Sequence, residues 1–194
     1  MLSPYHRFWF SPGFELHPHS QAPSSEKLIL QFDPSSTSSR SESDGSSSPA
    51  KIGVGAQKST SCFSFSFYGS ELGCKSNGPD CVFNITGLRY DYESRQERTA
   101  VSHVIQIPAC HDLENCKLVP TRVAGFEHLT SVLISMTVDG EETPWLMDNL
   151  SLGWSDNTCD TAACRSTVND TVQKHERDVS DRKIGLRRRV LGFF

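Results

Sequence analysis

Hydrophobic and polar residues alternate in short runs through the middle of the chain. In SCFSFSFYG (61–69), Phe63, Phe65 and Phe67 occupy every second position. Such alternation sends successive side chains to opposite faces of a β-strand. The same pattern recurs in four further runs, at 81–86, 101–107, 131–140 and 144–154. The alternation therefore predicts a series of half-buried strands.

Turn-forming residues separate these runs, and no segment between residues 60 and 166 keeps a helical period over three turns. Strands at this spacing indicate an all-β fold, an antiparallel β-sandwich of jelly-roll type with local disulfides and disordered termini. Strict alternation in the last run places Trp145, Met147 and Asn149 on one face. It places the following residues on the other face: Leu146, Asp148, Leu150, Leu152 and Trp154.

Composition divides the chain into three parts. Residues 35–48 hold nine serines in fourteen positions and no large apolar residue. Such a stretch cannot bury enough surface to offset roughly 1–2 kcal/mol of backbone entropy per residue. We therefore expect a disordered leader and Ser-rich linker over 1–59, a β-sandwich domain over 60–166 and a polar, basic tail over 167–194. The tail is expected to be disordered or partly helical.

Six of the seven cysteines form three close pairs around short polar stretches. The intervals hold six, five and four residues, and long β-like runs separate the pairs, so disulfides suit them better than a zinc ion. The predicted bridges are Cys74–Cys81, Cys110–Cys116 and Cys159–Cys164. Cys62 has no cysteine close to it in the sequence. It could be buried, free or paired between chains, or it could displace one partner in this local scheme.

Disulfides point to an oxidising compartment, and three glycosylation sequons agree with it. The sequons begin at Asn84, Asn149 and Asn169. The first thirty residues show no signal-peptide hydrophobic stretch, and no run of 18 apolar residues indicates a transmembrane helix. We expect an extracellular or cell-surface glycoprotein, although no signal peptide is visible in this chain.

The charge is unevenly distributed. Net charge is −4, and residues 173–194 carry seven Lys or Arg against three acids, so the remainder carries −8. An acidic domain repels nucleic acid. The charge pattern therefore argues against a nucleic-acid partner.

Asp148 is the candidate metal residue, because strict alternation puts this carboxylate on an apolar face. A carboxylate there must be hydrogen-bonded, paired or bound to a cation. Two interpretations are open: Asp148 accepts backbone N–H bonds at a strand irregularity, or it holds a structural calcium ion. Calcium would need further oxygens, for which Glu71, Asp80 and Asp91 are candidates. No other cofactor is expected.

Exposed aromatic residues are the candidate ligand platform. The candidates for stacking on the apolar face of a sugar are Trp145, Trp154, Tyr68, Tyr90 and Tyr92. Of the two tryptophans, Trp145 is predicted to face outward and Trp154 to lie in the core. Core or edge packing is the alternative for each ring. His103, His111 and His128 lack the spacing of a triad or a metalloprotease motif, so no catalytic residue is assigned.

Residues 62–165 also carry a family resemblance. The residues that carry it are FSFYGSELGC, CVFNITGLRYD, FEHLTSVLISMTVDG and WLMDNLSLGWSDNTCDTAACR. This stretch resembles an uncharacterised domain of secreted or cell-surface fungal proteins. Its WLMDNLSLGW strand is similar to the closing strand of jelly-roll carbohydrate-binding modules, where an Asp helps to hold calcium. The resemblance implies a fold and a compartment, but no catalytic residue.

Together these observations favour a non-catalytic extracellular or cell-wall-associated module that binds a cell-wall glycan. A secreted hydrolase of unrecognised type is the first alternative. A purely structural cap of a glycosylated stalk is the second.

Overall fold

The computed structural model describes residues 7–18, 28–36, 48–111 and 117–167. The chain divides into two compact units, Met1–Ser155 and Asp156–Phe194. The first unit holds all the named strands, and a helix over 159–167 lies in the second. The predicted tail lies outside the described residues from 168 onward.

Eleven strands of the first unit form two antiparallel sheets. One sheet has the order β1-β4-β9-β6-β7, with β10 paired to β9, and the other has the order β2-β3-β11-β5-β8. The strand bounds are β1 Trp9–Phe10, β2 Phe14–Pro18, β3 Leu28–Phe32, β4 Ala50–Gly53, β5 Phe65–Cys74, β6 Cys81–Asp91, β7 Gln96–Ile107, β8 Val119–Arg122, β9 Ser131–Val138, β10 Glu141–Glu142 and β11 Trp145–Trp154. A short 3-10 helix, Gly55–Ser59, follows β4. The predicted all-β antiparallel sandwich is confirmed.

Aromatic side chains from both sheets fill the space between them. Phe65 and Phe67 of β5 are buried, as are Phe83 of β6 and Trp145 of β11. The rings of Phe83 and Trp145 meet edge to face with centroids 5.6 Å apart, which joins the two sheets. Close packing of this kind excludes water from the core. Alternation correctly predicted the inward faces of β5 and β6.

The N-terminal segment belongs to the sandwich, so the predicted domain boundary at residue 60 is wrong for the described residues. β1 pairs with β4, which pairs with β9, while β2 pairs with β3, which pairs with β11. Phe8 stacks on Trp154 at 4.9 Å, and Phe14 meets Trp145 at 5.9 Å. These strands have two to five residues, too few to show alternation, and their partners are distant in sequence. Residues 37–47 of the Ser-rich stretch lie outside the described residues.

β11 contains a bulge that reverses its side-chain alternation. Its pairing with β5 shifts register between Asp148 and Ser151, and again between Ser151 and Leu152. Trp145 therefore faces the core, with 1% of its surface exposed, and Asp148 faces outward beside Glu71. Both predictions from strict alternation, an outward Trp145 and an inward Asp148, are wrong, because an extra residue in a strand exchanges its faces.

Part of the outer face of the second sheet is covered as well. Leu146 is fully buried there, although it alternates with Trp145, because it packs with Ile29 and Leu118 in a small apolar cluster that Cys110 also contacts. Beyond this cluster, a further portion of the outer face is open. That open portion contains the second half of β11 and the facing residues of β5 and β8.

Candidate functional site

The disulfides follow the predicted local scheme only in part. Cys74 and Cys81 form a disulfide, with Cα atoms 6.3 Å apart. Cys110 is disulfide-bonded, and its predicted partner Cys116 lies outside the described residues. The loop between Cys74 and Cys81 connects β5 to β6, so this bond holds the crossing from one sheet to the other.

The predicted Cys159–Cys164 bridge is wrong. Cys159 is an exposed free thiol, whereas Cys62 and Cys164 are each disulfide-bonded. Both residues of the predicted pair lie on the helix over 159–167. Positions five apart project about 140° from one another around a helix, so their sulfurs point in different directions. Cys62 is buried as well as disulfide-bonded, so of the alternatives left open for it the free thiol is wrong.

Two adjacent bulges shape the open part of the second sheet. Beside the bulge of β11, the partner strand β5 is irregular at Gly69. Gly69 has φ +138°, and a Cβ at this position would overlap the carbonyl oxygen of Thr121. A side chain is therefore excluded where β8 passes β5. The floor of the sheet is therefore bare at position 69, next to Tyr68.

The bare floor is the base of an open depression of about 570 Å³, which we call the Tyr68 groove. The volume falls within the range typical of small-ligand sites, about 300–1,000 Å³. Its lining comes from three adjacent strands and the turn after β8: Tyr68, Gly69, Ser70, Glu71, Pro120, Thr121, Arg122, Val123, Asn149 and Ser151. The groove thus combines an aromatic ring with a cation, a carboxylate, an amide and hydroxyl groups.

The register of β8, β5 and β11 arranges the residues at the groove in two rows across the strands. Arg122 of β8, Gly69 of β5 and Ser151 of β11 are successive Cα partners in the first row. Pro120, Glu71 and Asp148 are successive partners in the second. Directly opposed residues of neighbouring strands have Cβ atoms roughly 5 Å apart. The side chains of Arg122 and Ser151 therefore flank the central strand at its glycine.

Tyr68 provides the aromatic surface of the groove. Its side chain is 52% exposed, and the backbone carbonyl of Tyr68 accepts a hydrogen bond from the Val123 N–H at 3.3 Å. The ring passes over Gly153, where a Cβ would lie 3.1 Å from Cε2 and 3.2 Å from the phenolic oxygen. Gly153 thus gives the ring room to lie along the sheet, with the opposite ring face turned to solvent.

Asp148 lies at the edge of the groove, and its carboxylate is hydrogen-bonded within its own strand. Its Oδ1 accepts the backbone N–H of Asn149 at 2.8 Å, while Oδ2 is buried with no hydrogen-bond partner among the described residues. Asn149 has φ +49°, a left-handed conformation that Asn tolerates well. Asp148 therefore holds the bulge, as one of the two sequence interpretations states.

The calcium interpretation finds little support around Asp148. Of the candidate oxygen donors, only Glu71 is its neighbour. Asp91 instead accepts hydrogen bonds from Ser94 and from the N–H of Glu93 in the β6–β7 turn, and these bonds lower its pKa. Across the described ranges, no three His, Cys, Asp or Glu side chains are grouped to hold a metal ion. The calcium site stays a prediction.

The predicted aromatic platform is not assembled. Trp145 lies in the core, and the cavity that it lines has a volume of only about 10 Å³, room for at most one water molecule. Tyr90 and Tyr92 contact each other edge to face at 5.2 Å, at the end of β6, on the other sheet. Tyr92 is 59% exposed. Tyr68, another of the candidates, is exposed beside polar groups.

Two of the three predicted sequons are described, and both asparagines are exposed. Asn84 lies on the outer face of the first sheet, between Val104 and Ser135, and its Oδ1 accepts a hydrogen bond from Ser102 Oγ at 3.0 Å. Asn149 lies in the Tyr68 groove. Asn169 is outside the described residues.

A second polar cluster surrounds Glu97, away from the groove. Its carboxylate accepts hydrogen bonds from Lys51 at 2.5 Å, Ser131 at 2.5 Å and Thr130 at 2.9 Å, and Lys58 lies 3.8 Å away. Burial alone would raise the pKa of Glu97, but these hydrogen bonds and the charge of Lys51 outweigh it and lower the pKa below 4.5. Every oxygen of Glu97 is engaged, so the cluster ties β4, β7 and β9 together.

Sequence reasoning missed Arg122 altogether and did not connect Tyr68, Glu71, Asn149 and Ser151 as one site. A local signal was present, because Tyr68 precedes a glycine inside a strand and Gly153 interrupts another. Glycine inside a strand indicates a bulge or a close approach of another backbone. Only the pairing of β5 with β8 and β11 shows that these irregularities are neighbours.

The fold and groove together define a disulfide-containing antiparallel β-sandwich with an open polar depression on one sheet. The chain belongs to a family described as a domain of unknown function (DUF7371), whose profile matches residues 1–165. None of the curated proteins matches the chain.

Among solved structures, a DUF4465 family protein from Bacteroides caccae is similar to this chain with a TM-score of 0.42 and 14% identity. The similarity covers 76% of this chain and 73% of that one. No helix in the described part of the chain is long and apolar enough to cross a membrane.

Proposed function

We propose that this protein is a non-catalytic, extracellular or cell-wall-associated module that binds carbohydrate in the Tyr68 groove. Its compartment is supported by the Cys74–Cys81 disulfide and by the bonded state of Cys62, Cys110 and Cys164. Structural disulfides accumulate in proteins of oxidising compartments. A cell-wall glycan is therefore a ligand that the protein would meet.

The observation that carries the proposal is the exposed Tyr68 ring among hydrogen-bonding groups on an open strand surface. A pyranose has an apolar face of C–H groups and a rim of hydroxyls. The Tyr68 ring matches the first, because an aromatic ring is a rigid apolar surface with a polar tip. Arg122 donates hydrogen bonds, Glu71 accepts them, and Asn149 does both. Such mixed groups match hydroxyls, which also donate and accept.

The arrangement of acids favours binding over hydrolysis. Glycosidases generally use two carboxyl groups that flank the scissile bond. Glu71 lines the groove. Its neighbour Asp148 accepts a hydrogen bond from the Asn149 N–H with Oδ1, and its Oδ2 is buried. A single carboxylate facing the groove supports hydrogen bonding to a sugar and provides no acid–base pair.

A glycan array with the full chain identifies the ligand class, and two variants then locate the site. Tyr68→Ala should weaken binding of the best array glycan by at least about tenfold, which corresponds to a loss of about 1.4 kcal/mol. Tyr92→Ala is the matched control, because it removes an equally exposed tyrosine on the other sheet. Isothermal titration with each variant gives the two affinities.

The same experiment separates the alternatives. If Tyr92→Ala abolishes binding and Tyr68→Ala does not, the Tyr68 groove is not the site. If the array glycans are cleaved on prolonged incubation, the protein is a hydrolase. If no glycan binds, a structural cap becomes the better interpretation and the carbohydrate proposal is wrong.

A further inference from the structure

The Tyr68 groove contains a complete glycosylation sequon. Asn149 and Ser151, the first and third residues of Asn149-Leu150-Ser151, both line it and both are exposed. These are the two side chains that glycosylation requires, since the amide receives the sugar and the hydroxyl completes the acceptor motif. A glycan attached to Asn149 would begin inside the groove that we assign to exogenous carbohydrate.

The attachment point lies on the same strand as the residue beneath the Tyr68 ring. Ser151 is the Cα partner of Gly69, the residue that follows Tyr68. Gly153, which lies under the ring, is two residues beyond Ser151, a separation of roughly 7 Å along a strand. The bulge also keeps Asn149 exposed in a left-handed conformation. Asn149 itself is four residues before Gly153, roughly 13 Å along a strand, so a glycan of a few sugars attached there can reach the aromatic surface.

We propose that an N-linked glycan on Asn149 occupies the Tyr68 groove and excludes exogenous carbohydrate, so that glycosylation regulates binding. This inference rests on the proposed function. The donor is a polyprenyl-diphosphate-linked oligosaccharide of the secretory pathway. Asn149 Nδ2 forms a bond to the anomeric carbon, the bond from that carbon to the diphosphate oxygen breaks, the lipid diphosphate leaves with the electron pair, and the amide loses one proton.

Asn84 provides an internal comparison. It lies on the outer face of the opposite sheet, where its strand neighbours are Val104 and Ser135 and its Oδ1 is bonded to Ser102. A glycan on Asn84 projects from the other side of the sandwich. Glycosylation at Asn84 should therefore add mass without changing access to Tyr68.

The test compares the same full chain made in two oxidising hosts. Protein from an N-glycosylating secretory host should bind the array glycan at least tenfold more weakly than protein from a bacterial periplasm, which does not glycosylate it. Asn84→Gln from the glycosylating host should remain weak. Ser151→Ala removes the sequon and also a groove hydroxyl, so its affinity is compared only between the two hosts, where it should show no difference. Peptide mass spectrometry establishes occupancy at Asn149 in each sample.

A second measurement does not need an exogenous ligand. Nitration by tetranitromethane should modify Tyr68 several times more slowly in the glycosylated chain, relative to Tyr92 of the same molecule. If Asn149 carries no glycan, or if glycosylation changes neither Tyr68 nitration nor binding, the inference is wrong. If neither form binds any glycan while Tyr68 is still protected, the occupancy is supported and the proposed function fails.

Discussion

The ring of Tyr68 lies over Gly153, and a Cβ on that glycine would approach Tyr68 Cε2 to 3.1 Å. The position of the aromatic ring therefore depends on a glycine, Gly153, in the neighbouring strand. Because the contact is with the far end of a mobile side chain, a methyl group there would displace the ring and leave the backbone in place.

Gly153→Ala should consequently weaken glycan binding with little change in stability. We expect a loss of affinity of about tenfold, similar to removal of a stacking contact worth about 1.4 kcal/mol, and a Tm within a few degrees of the wild type. Gly78→Ala is the control, since a Cβ at Gly78 would meet nothing within 4 Å. Unchanged affinity in Gly153→Ala would show that the ring position is unimportant for binding.

Phe14→Ala should destabilise the sandwich, because the N-terminal strands complete its core. Phe14 is buried against Phe10, Phe32 and Trp145. Removal of a buried Phe side chain costs about 3–5 kcal/mol of unfolding free energy, so Tm should fall by roughly 10 °C. Leu16→Ala, on the same strand but 54% exposed, should change the unfolding free energy by less than about 0.5 kcal/mol. If Phe14→Ala and Leu16→Ala both change the Tm only slightly and equally in thermal unfolding, the interpretation of this segment as a leader is restored.

Glu97→Gln should lower stability at neutral pH and have less effect in acid. The folded pKa of Glu97 is lowered below 4.5, so the carboxylate stabilises the fold above that value. The contribution is lost as pH falls through the folded pKa, when the native carboxylate is protonated. We expect a cost of about 1–3 kcal/mol at pH 7, from the unmatched Lys51 and lost hydrogen bonds.

Urea unfolding at pH 7 and pH 3 measures this dependence. The difference in unfolding free energy between wild type and Glu97→Gln should be constant above about pH 5 and shrink below 4.5. Glu93→Gln, an exposed site in the β6–β7 turn, should show neither effect. A difference that grew in acid would contradict the assigned role of Glu97.

Asp148→Ala tests whether this carboxylate holds a bulge or a cation. Loss of the hydrogen bond to the Asn149 N–H should lower the unfolding free energy by about 1–2 kcal/mol and weaken glycan binding, because Asn149 lines the groove. Chelator should leave the Tm of both proteins unchanged. A chelator response in wild type that is absent in Asp148→Ala would instead support the calcium prediction.

Among the cysteines of the described ranges, mapping should show one reactive thiol in the native protein. Cys159 should be alkylated without reduction, whereas Cys62 and Cys164 should require it. A non-reducing digest should contain a linked peptide with Cys74 and Cys81. A Cys159–Cys164 linkage in such a digest would contradict the structure and restore the local scheme.

Alternation was a sound guide where a strand is regular and long. In β5 it placed Phe65 and Phe67 on one face, and both are buried in the core. It failed in β11, where a single bulge reversed the faces of Trp145 and Asp148. The position of a bulge depends on which strand pairs with the bulged one, and the alternation of residues within a strand does not show which strands pair. The same limit explains why β1, β2 and β4 were not recognised.

The sequence by itself determined the all-β class, the positions of the long strands and the Cys74–Cys81 loop, because these depend on side-chain periodicity and on contacts between residues close in the chain. Tertiary structure alone decided which face Trp145 takes, which cysteines remain unbridged, and that Tyr68, Arg122 and Asn149 share one groove. Those features depend on strand register across distant segments, where a shift of one residue exchanges the core face for the solvent face.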